Sequence, residues 1–397
     1  MLELLKEKEY KWTNVILIVI TVAIVLYIAY VRGGIPIGSN QSVVLESNKE
    51  ILKLNVKEKS YIGVNNKQVF KATRDGIDAY NLEGEEMWRD TFSLSNFVVM
   101  QKEPYIAIGS KRGQNIYVFN DKGKQSEIIS TYPIVYFSVN ETGGVVTISN
   151  DNDTYVVSAY DNMGKLLCSR TTYTKEDGYP LVAELSPDNT KIMMAYVSVD
   201  EPQVISRVYS MDVTQNENNE RDNVQYGREQ KNNLVYEIEF MSNDTWVVVG
   251  DKLIVWYDIN GNELGQQQNL SLVFVPYLNA ISQYGEGYLP MILSEKPTQN
   301  IVHRQDQLVY FNHKGEEVFS TELGGGAESV YADSNGVSVQ VGYVFKGYNK
   351  LGNQFYEYSA DTDVSKVIYI PSLKRGIAVN KESVLLLIPK REVSIND

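Results

Sequence analysis

The nine residues Tyr80-Asn81-Leu82-Glu83-Gly84-Glu85-Glu86-Met87-Trp88 set a pattern that returns along almost the whole chain. Ile77 to Tyr80 alternates as a strand, Asn81 to Gly84 turns, and Glu85 to Trp88 begins a return strand. Asn and Gly suit such a turn because both tolerate positive φ. Four further copies follow: Phe119–Gly123, Tyr160–Gly164, Tyr257–Gly261 and Phe311–Gly315. Each has an aromatic four residues before the glycine and Asn or Asp three before it. Met211–Gln215 and Tyr358–Thr362 read as two degenerate copies. At the glycine position the intervals are 39, 41, 51, 46, 54 and 47 residues. That period is one four-stranded propeller blade. The chain is therefore expected to be all-β.

With 397 residues, 43% of them hydrophobic, the chain can bury a large core. A net charge of −13, with the two signs interspersed, predicts a soluble, self-repelling surface and no nucleic-acid partner. Cys168 is the single cysteine, which rules out an intramolecular disulfide and a thiolate metal site of the usual kind. Its place after Leu166-Leu167 predicts a buried, inert thiol.

Residues 1–11 form a charged tail, and residues 12–31 form an apolar run of twenty. At 1.5 Å per residue, twenty helical residues cross a hydrocarbon core about 30 Å thick. Trp12, Tyr27 and Tyr30 stand near its ends, where amphipathic rings favour the interface. The run exceeds a signal-peptide core and no A-x-A site follows, so an uncleaved transmembrane helix is expected. Lys6, Lys8 and Lys11 precede it and only Arg32 follows closely. This places the N-terminus in the cytoplasm and the large domain outside the cell membrane. Residues 32–41 form a tether, and 42–397 the propeller.

The remaining chain divides into units of four strands. SVVLESN with ILKLNVK at the start, and RGIAVNK with SVLLLIPK at the end, would join as a composite eighth blade. Eight blades are favoured over seven because such closure removes exposed sheet edges.

TRDGIDAYNLEGEEMW, residues 73–88, resembles the repeat of quinoprotein-like (PQQ-repeat-type) β-propellers. The whole layout is similar to a family of membrane-anchored bacterial propeller proteins. The resemblance implies a fold and not a chemistry. It also implies a docking tryptophan four residues after the glycine, found only at Trp88; Glu127, Cys168, Gly265 and Phe319 stand there in the other copies. Quinoprotein enzymes are expected to hold their cofactor in the central channel, with calcium, a catalytic Asp and often a disulfide of adjacent cysteines. One cysteine excludes that disulfide.

His303 and His313, ten residues apart, bring no further ligands. Asn150-Asp151-Asn152-Asp153-Thr154 lacks the Gly and Glu of a calcium loop. No P-loop or G-x-S-x-G occurs. No concentration of carboxylates or histidines is evident at the inner-strand mouths. Catalytic, cofactor and metal residues are therefore all expected to be none. The expected function is a membrane-anchored extracellular scaffold that binds a protein or cell-wall partner. The alternative is a channel-sited enzyme, a hydrolase or quinone-type oxidoreductase. Enlarged second-to-third-strand turns at 198–204, 294–300 and 345–353 point to Lys296, Lys346, Tyr348 and Lys350 as partner contacts.

Overall fold

The computed structural model describes residues 42–198, 203–213, 224–268, 272–274, 287–294, 304–349 and 351–390. The chain divides into two units, 1–42 and 43–397, and the first lies outside the described residues except for Ser42. The membrane segment expected at 12–31 therefore lies outside them too. Among the described residues no helix is long and apolar enough to cross a membrane.

The second unit is a ring of eight four-stranded antiparallel blades. The N-terminal strand β1 (Val43–Lys53) belongs to the last of them. Blade 1 is β2–β5 (Tyr61–Asn65, Gln68–Ala72, Gly76–Tyr80, Glu86–Thr91) and blade 2 is β6–β9 (Phe97–Lys102, Tyr105–Ser110, Asn115–Asn120, Gly123–Ile129). Blade 3 is β10–β13 (Ile134–Val139, Val145–Asp151, Thr154–Tyr160, Leu166–Tyr173) and blade 4 is β14–β17 (Tyr179–Leu185, Lys191–Ser198, Ile205–Asp212, Val224–Lys231). Blade 5 is β18–β21 (Val235–Phe240, Thr245–Gly250, Leu253–Asp258, Glu263–Gln268) and blade 6 is β22–β25 (Leu272–Phe274, Leu289–Ser294, Asp306–Phe311, Glu317–Glu322). Blade 7 is β26–β29 (Ser329–Asp333, Gly336–Val341, Val344–Asn349, Gln354–Ser359). Blade 8 takes β30–β32 (Val364–Ile370, Arg375–Asn380, Ser383–Pro389) from the C-terminus and β1 as its outer strand.

The closure is thus three strands plus one, not the two plus two expected. SVVLESN and ILKLNVK are a single strand, and two register shifts along its pairing with β32 bend it. Val43, Val44 and Leu45 also pair in parallel with Tyr356, Glu357 and Tyr358 of β29, so β1 seals two blades at once.

The repeat motif builds the turn between the third and fourth strands. Asn81 Oδ1 accepts the backbone N–H groups of Glu83 (3.0 Å) and Glu85 (2.9 Å), which explains an Asx residue three before the glycine. Asp161, Asp258 and Asn312 do the same in their blades. So does Asn349, which binds Leu351 (2.9 Å) and Asn353 (3.0 Å). Tyr348-Asn349-Lys350-Leu351-Gly352 is therefore the motif of blade 7, with Gly352 at φ +78°. Tyr358–Thr362 is instead the link from β29 towards β30. The glycine-to-glycine interval is 37 residues there (315 to 352), the shortest of the set.

Each turn glycine also receives the preceding blade. A Cβ on Gly123 would lie 3.9 Å from the Trp88 ring, and one on Gly352 only 2.3 Å from the Phe319 ring. Tyr226 fills the same role at Gly261 (2.5 Å). Glu127 meets Gly164 through its backbone oxygen, and Gly265 makes room for the Lys314–Gly315 turn. The ring closes in the same way, with the Ile51 carbonyl of β1 at 2.7 Å from a Cβ on Gly84. Docking by one blade on the next thus survives the loss of tryptophan. Eight apolar clusters fill the eight junctions, for example Ile51, Leu52, Ile62, Val64, Ile377 and Leu386 between blades 8 and 1.

Gly261 and Gly324 separate docking from backbone strain. Both have positive φ (+78° and +76°), but a Cβ on Gly324 would meet nothing within 4 Å. Gly324→Ala is expected to cost about 1 kcal/mol and Gly261→Ala about 3 kcal/mol or more, read by urea unfolding. Equal costs would contradict the docking of Tyr226 on Gly261.

Candidate functional site

The eight inner strands turn one edge each toward the central channel, so their outward-facing carbonyls need donors other than a ladder. Side chains of neighbouring inner strands supply them. Ser138 Oγ donates to the Ala183 carbonyl (3.0 Å), and Gln101 Nε2 donates to that of Val64 (2.6 Å). Lys366 Nζ donates to that of Ile62 (3.0 Å). Asn65 Nδ2 reaches the Pro104 carbonyl (2.8 Å).

Inside this ring lies a cavity of about 640 Å³. One wall, from blades 3 to 5, carries Tyr136, Glu184, Glu237 and Glu239. Tyr136 Oη donates to Glu184 Oε1 at 3.1 Å. Lys102, at the end of β6, crosses from blade 2 to pair with Glu239, both largely buried. Burial alone would favour loss of the Lys102 proton, but Glu239, Glu141 and Glu184 outweigh it and hold the ammonium above the ordinary lysine range. Burial raises Glu184 well above the carboxylate range, against the pull of Lys102. Burial, and then Glu239, push Glu237 up to about 7.

The opposite wall, from blades 7, 8 and 1, is different. Lys366 lies between the rings of Tyr61 (4.3 Å to the centroid) and Tyr331 (5.0 Å). Burial lowers its ammonium to about 8. Near one mouth, Ser334 hydrogen-bonds Glu103, joining blade 7 to blade 2. With Lys102–Glu239, this puts two cross-channel links at the end reached by the first-to-second-strand turns. Burial and Glu103 raise the nearby Asp333 to about 7.

Three of these side chains share one structural position. The inner-to-second-strand pairing slips by a residue between Ile134 and Tyr136, between Val235 and Glu237, and between Val364 and Lys366. A bulge of this kind re-aims the residue that follows it, here into the cavity.

These shifts predict a pH dependence. Folded Glu237 and Asp333 keep their protons up to about pH 7, whereas the unfolded chain releases them in the ordinary carboxylate range. Their contribution is therefore fully present in acid and is lost as pH rises through about 7. Lys366 works in the other direction: its folded value of about 8 lies below 10.5, so stability recovers as pH rises through that window. Glu237→Gln should gain on the parent by about 1–2 kcal/mol between pH 5 and pH 8 in urea unfolding. A difference that does not change with pH would contradict the assignment.

The turns singled out in the sequence do not form one arc. Residues 198–204 and 294–300 join second to third strands, but 345–353 joins third to fourth and opens on the opposite face of the ring. The link from β16 to β17 is likewise one between third and fourth strands. Tyr348 is buried against blade 6, because a strand residue that precedes the turn packs into the junction. Lys346 lies in β28, paired with Val339 and Glu357. Lys296 and Lys350 lie outside the described residues. The carboxylates of the channel were not anticipated. Their sequence signal is Glu-x-Glu within VYEIEF, and Glu184 within LVAELS, each a charge at alternate places in a short apolar inner strand.

No curated protein is significantly similar to this chain. Among solved structures, BamB from Moraxella catarrhalis superposes with a TM-score of 0.49 at 12% identity, over 87% of this chain and 100% of that one. Sqt1 from Chaetomium thermophilum gives 0.48 at 12% identity, over 87% and 98%. Residues 40–386 match a family of unknown function, DUF5711, and the chain belongs to that family.

Proposed function

We propose that the chain is a membrane-anchored propeller, held outside the cell by residues 12–31, that docks a protein or cell-wall partner without catalysing a reaction. The observation that carries this reading is the seal at β1. The N-terminal strand is woven into blade 8 and touches blade 7, so the ring has no loose edge at its point of attachment. A closed ring is a rigid support for variable turns, which is what a docking module needs. Both ends of the ring, Val43 and Pro389, lie on the face of the first-to-second and third-to-fourth turns. The second-to-third turns, on the face away from Val43 and Pro389, are assigned to the partner. Protease added to intact cells should degrade the propeller and spare the N-terminal tail. A photo-crosslinking residue at Asp251, in a second-to-third turn, should capture the partner more strongly than one at Leu351. Full protection of the propeller, or capture only from Leu351, would contradict the proposal.

One observation favours the second reading, a channel-sited enzyme acting on envelope material. Burial pushes Glu237 up to about 7, where it can donate a proton, and raises the neighbouring Glu184 well above the carboxylate range. Hydrolysis of a wall substrate that is lost in Glu184→Gln while partner capture persists would support that reading.

A further inference from the structure

Two ionisable groups of the channel wall, Glu237 and Lys366, form no ion pair among the described residues. Lys102 is bonded to Glu239, and its attraction for Glu237 is outweighed by burial and by Glu239 itself. The contacts of Lys366 are one backbone carbonyl and two tyrosine faces. A partly buried ionisable group without a counter-charge is costly to ionise, and its presence in a cavity marks a place where a counter-charge can arrive.

Position strengthens the point. Glu237 and Lys366 are each the third residue of their inner strand, and each follows the same one-residue slip in pairing. They therefore stand at matching depth, three blades apart around the ring, and both line the same cavity. The lining between them mixes apolar side chains such as Val98 and Val330 with the polar and charged Gln101, Lys102, Lys111 and Glu184. A cavity of about 640 Å³ is larger than a free amino acid needs and is in the range that encloses ligands of a few hundred daltons.

We propose that the channel binds a short peptide as its zwitterion, with the terminal carboxylate on Lys366 and the terminal ammonium on Glu237. Lys366 donates to the carboxylate while keeping its bond to Ile62, since an ammonium has three donors. Tyr61 and Tyr331 flank that contact, and Glu237 accepts from the peptide amine. The displaced values of both groups fit this arrangement, because each is pushed toward neutrality when no ligand of opposite sign is present. Entry is from the face of the second-to-third turns, since two links cross the other end. The peptide contacts Lys366, Glu237, Tyr61 and Tyr331 lie on inner strands inside the channel and include no residue of the second-to-third turns assigned to the partner, and the binding test is made without that partner.

The test is calorimetric titration of the full-length protein in detergent with trialanine, N-acetyl-trialanine and trialanine amide. Trialanine should bind, and blocking either end should weaken binding about tenfold or more, the loss of one charged contact. In Glu237→Gln, trialanine and its N-acetyl form should bind alike; in Lys366→Gln, trialanine and its amide should bind alike. The melting temperature of each variant without ligand establishes that it is folded, and the comparison of blocked peptides on the parent needs no variant. Absence of trialanine binding up to about 10 mM, or equal binding of all three peptides by the parent, would overturn the proposal.

Discussion

Truncation after Lys374 should leave no cooperatively folded propeller. The deletion removes β31 and β32, and with them Ile377, Val379, Val384 and Leu386 from the blade 8–1 core and Ala378 and Leu387 from the blade 7–8 core. Burying a large aliphatic side chain contributes about 1.5–3 kcal/mol, so the five large ones among these (all but Ala378) are comparable to a typical total stability of about 5–15 kcal/mol. The cut also strips β1 of its antiparallel partner and exposes the edge of β30. Circular dichroism should show no sigmoidal thermal transition, and the protein should aggregate. A melting curve like that of the parent would mean that the C-terminal strands do not close the ring.

The second large effect is expected at the cross-channel ion pair. Glu239→Leu leaves the Lys102 ammonium buried beside blade 5 without its main partner. Stranding one member of such a pair typically costs about 3–5 kcal/mol. Lys102→Met combined with Glu239→Leu should recover most of that loss, because two apolar side chains of similar length need no counter-charge. The contrast between single and double variants, measured by urea unfolding, isolates the penalty of the unpaired charge. A double variant no more stable than Glu239→Leu would show that the pair does not act as a unit.

The ring was legible because its repeat rests on local chemistry. An Asx side chain that caps two backbone N–H groups and a glycine at positive φ need only five consecutive residues, so Asn81–Gly84 and its copies stand out. Docking was harder to read, since it joins residues tens of positions apart and several side chains satisfy it. Tyr226 on Gly261 and Phe319 on Gly352 do the work of Trp88. The blade 7 motif was missed for a related reason. Its residues Tyr348 to Gly352 fit the pattern fully, but the short interval made Tyr358–Thr362 look better spaced. That shift carried Tyr348 and Lys346 from strand β28 into an imagined loop. The channel site was illegible because its members come from inner strands around the whole ring. Only closure brings Lys102 to Glu239, 137 residues away, and the bulges that aim Glu237 and Lys366 leave no mark beyond a charge near a strand start.

Closure by the N-terminal strand underlies both the rigid scaffold and the enclosed channel, and paired cysteines test it directly. Glu46 and Ile388 stand opposite each other in the β1–β32 ladder and are both half-buried. The native Cys168 offers little competition, because burial pushes its thiol up to about 11. Mild oxidation of Glu46→Cys/Ile388→Cys should link the two ends of the ring, giving a band of faster mobility on a non-reducing gel and a higher melting temperature that dithiothreitol reverses. Two free thiols after oxidation of the folded protein would contradict a ring closed by β1.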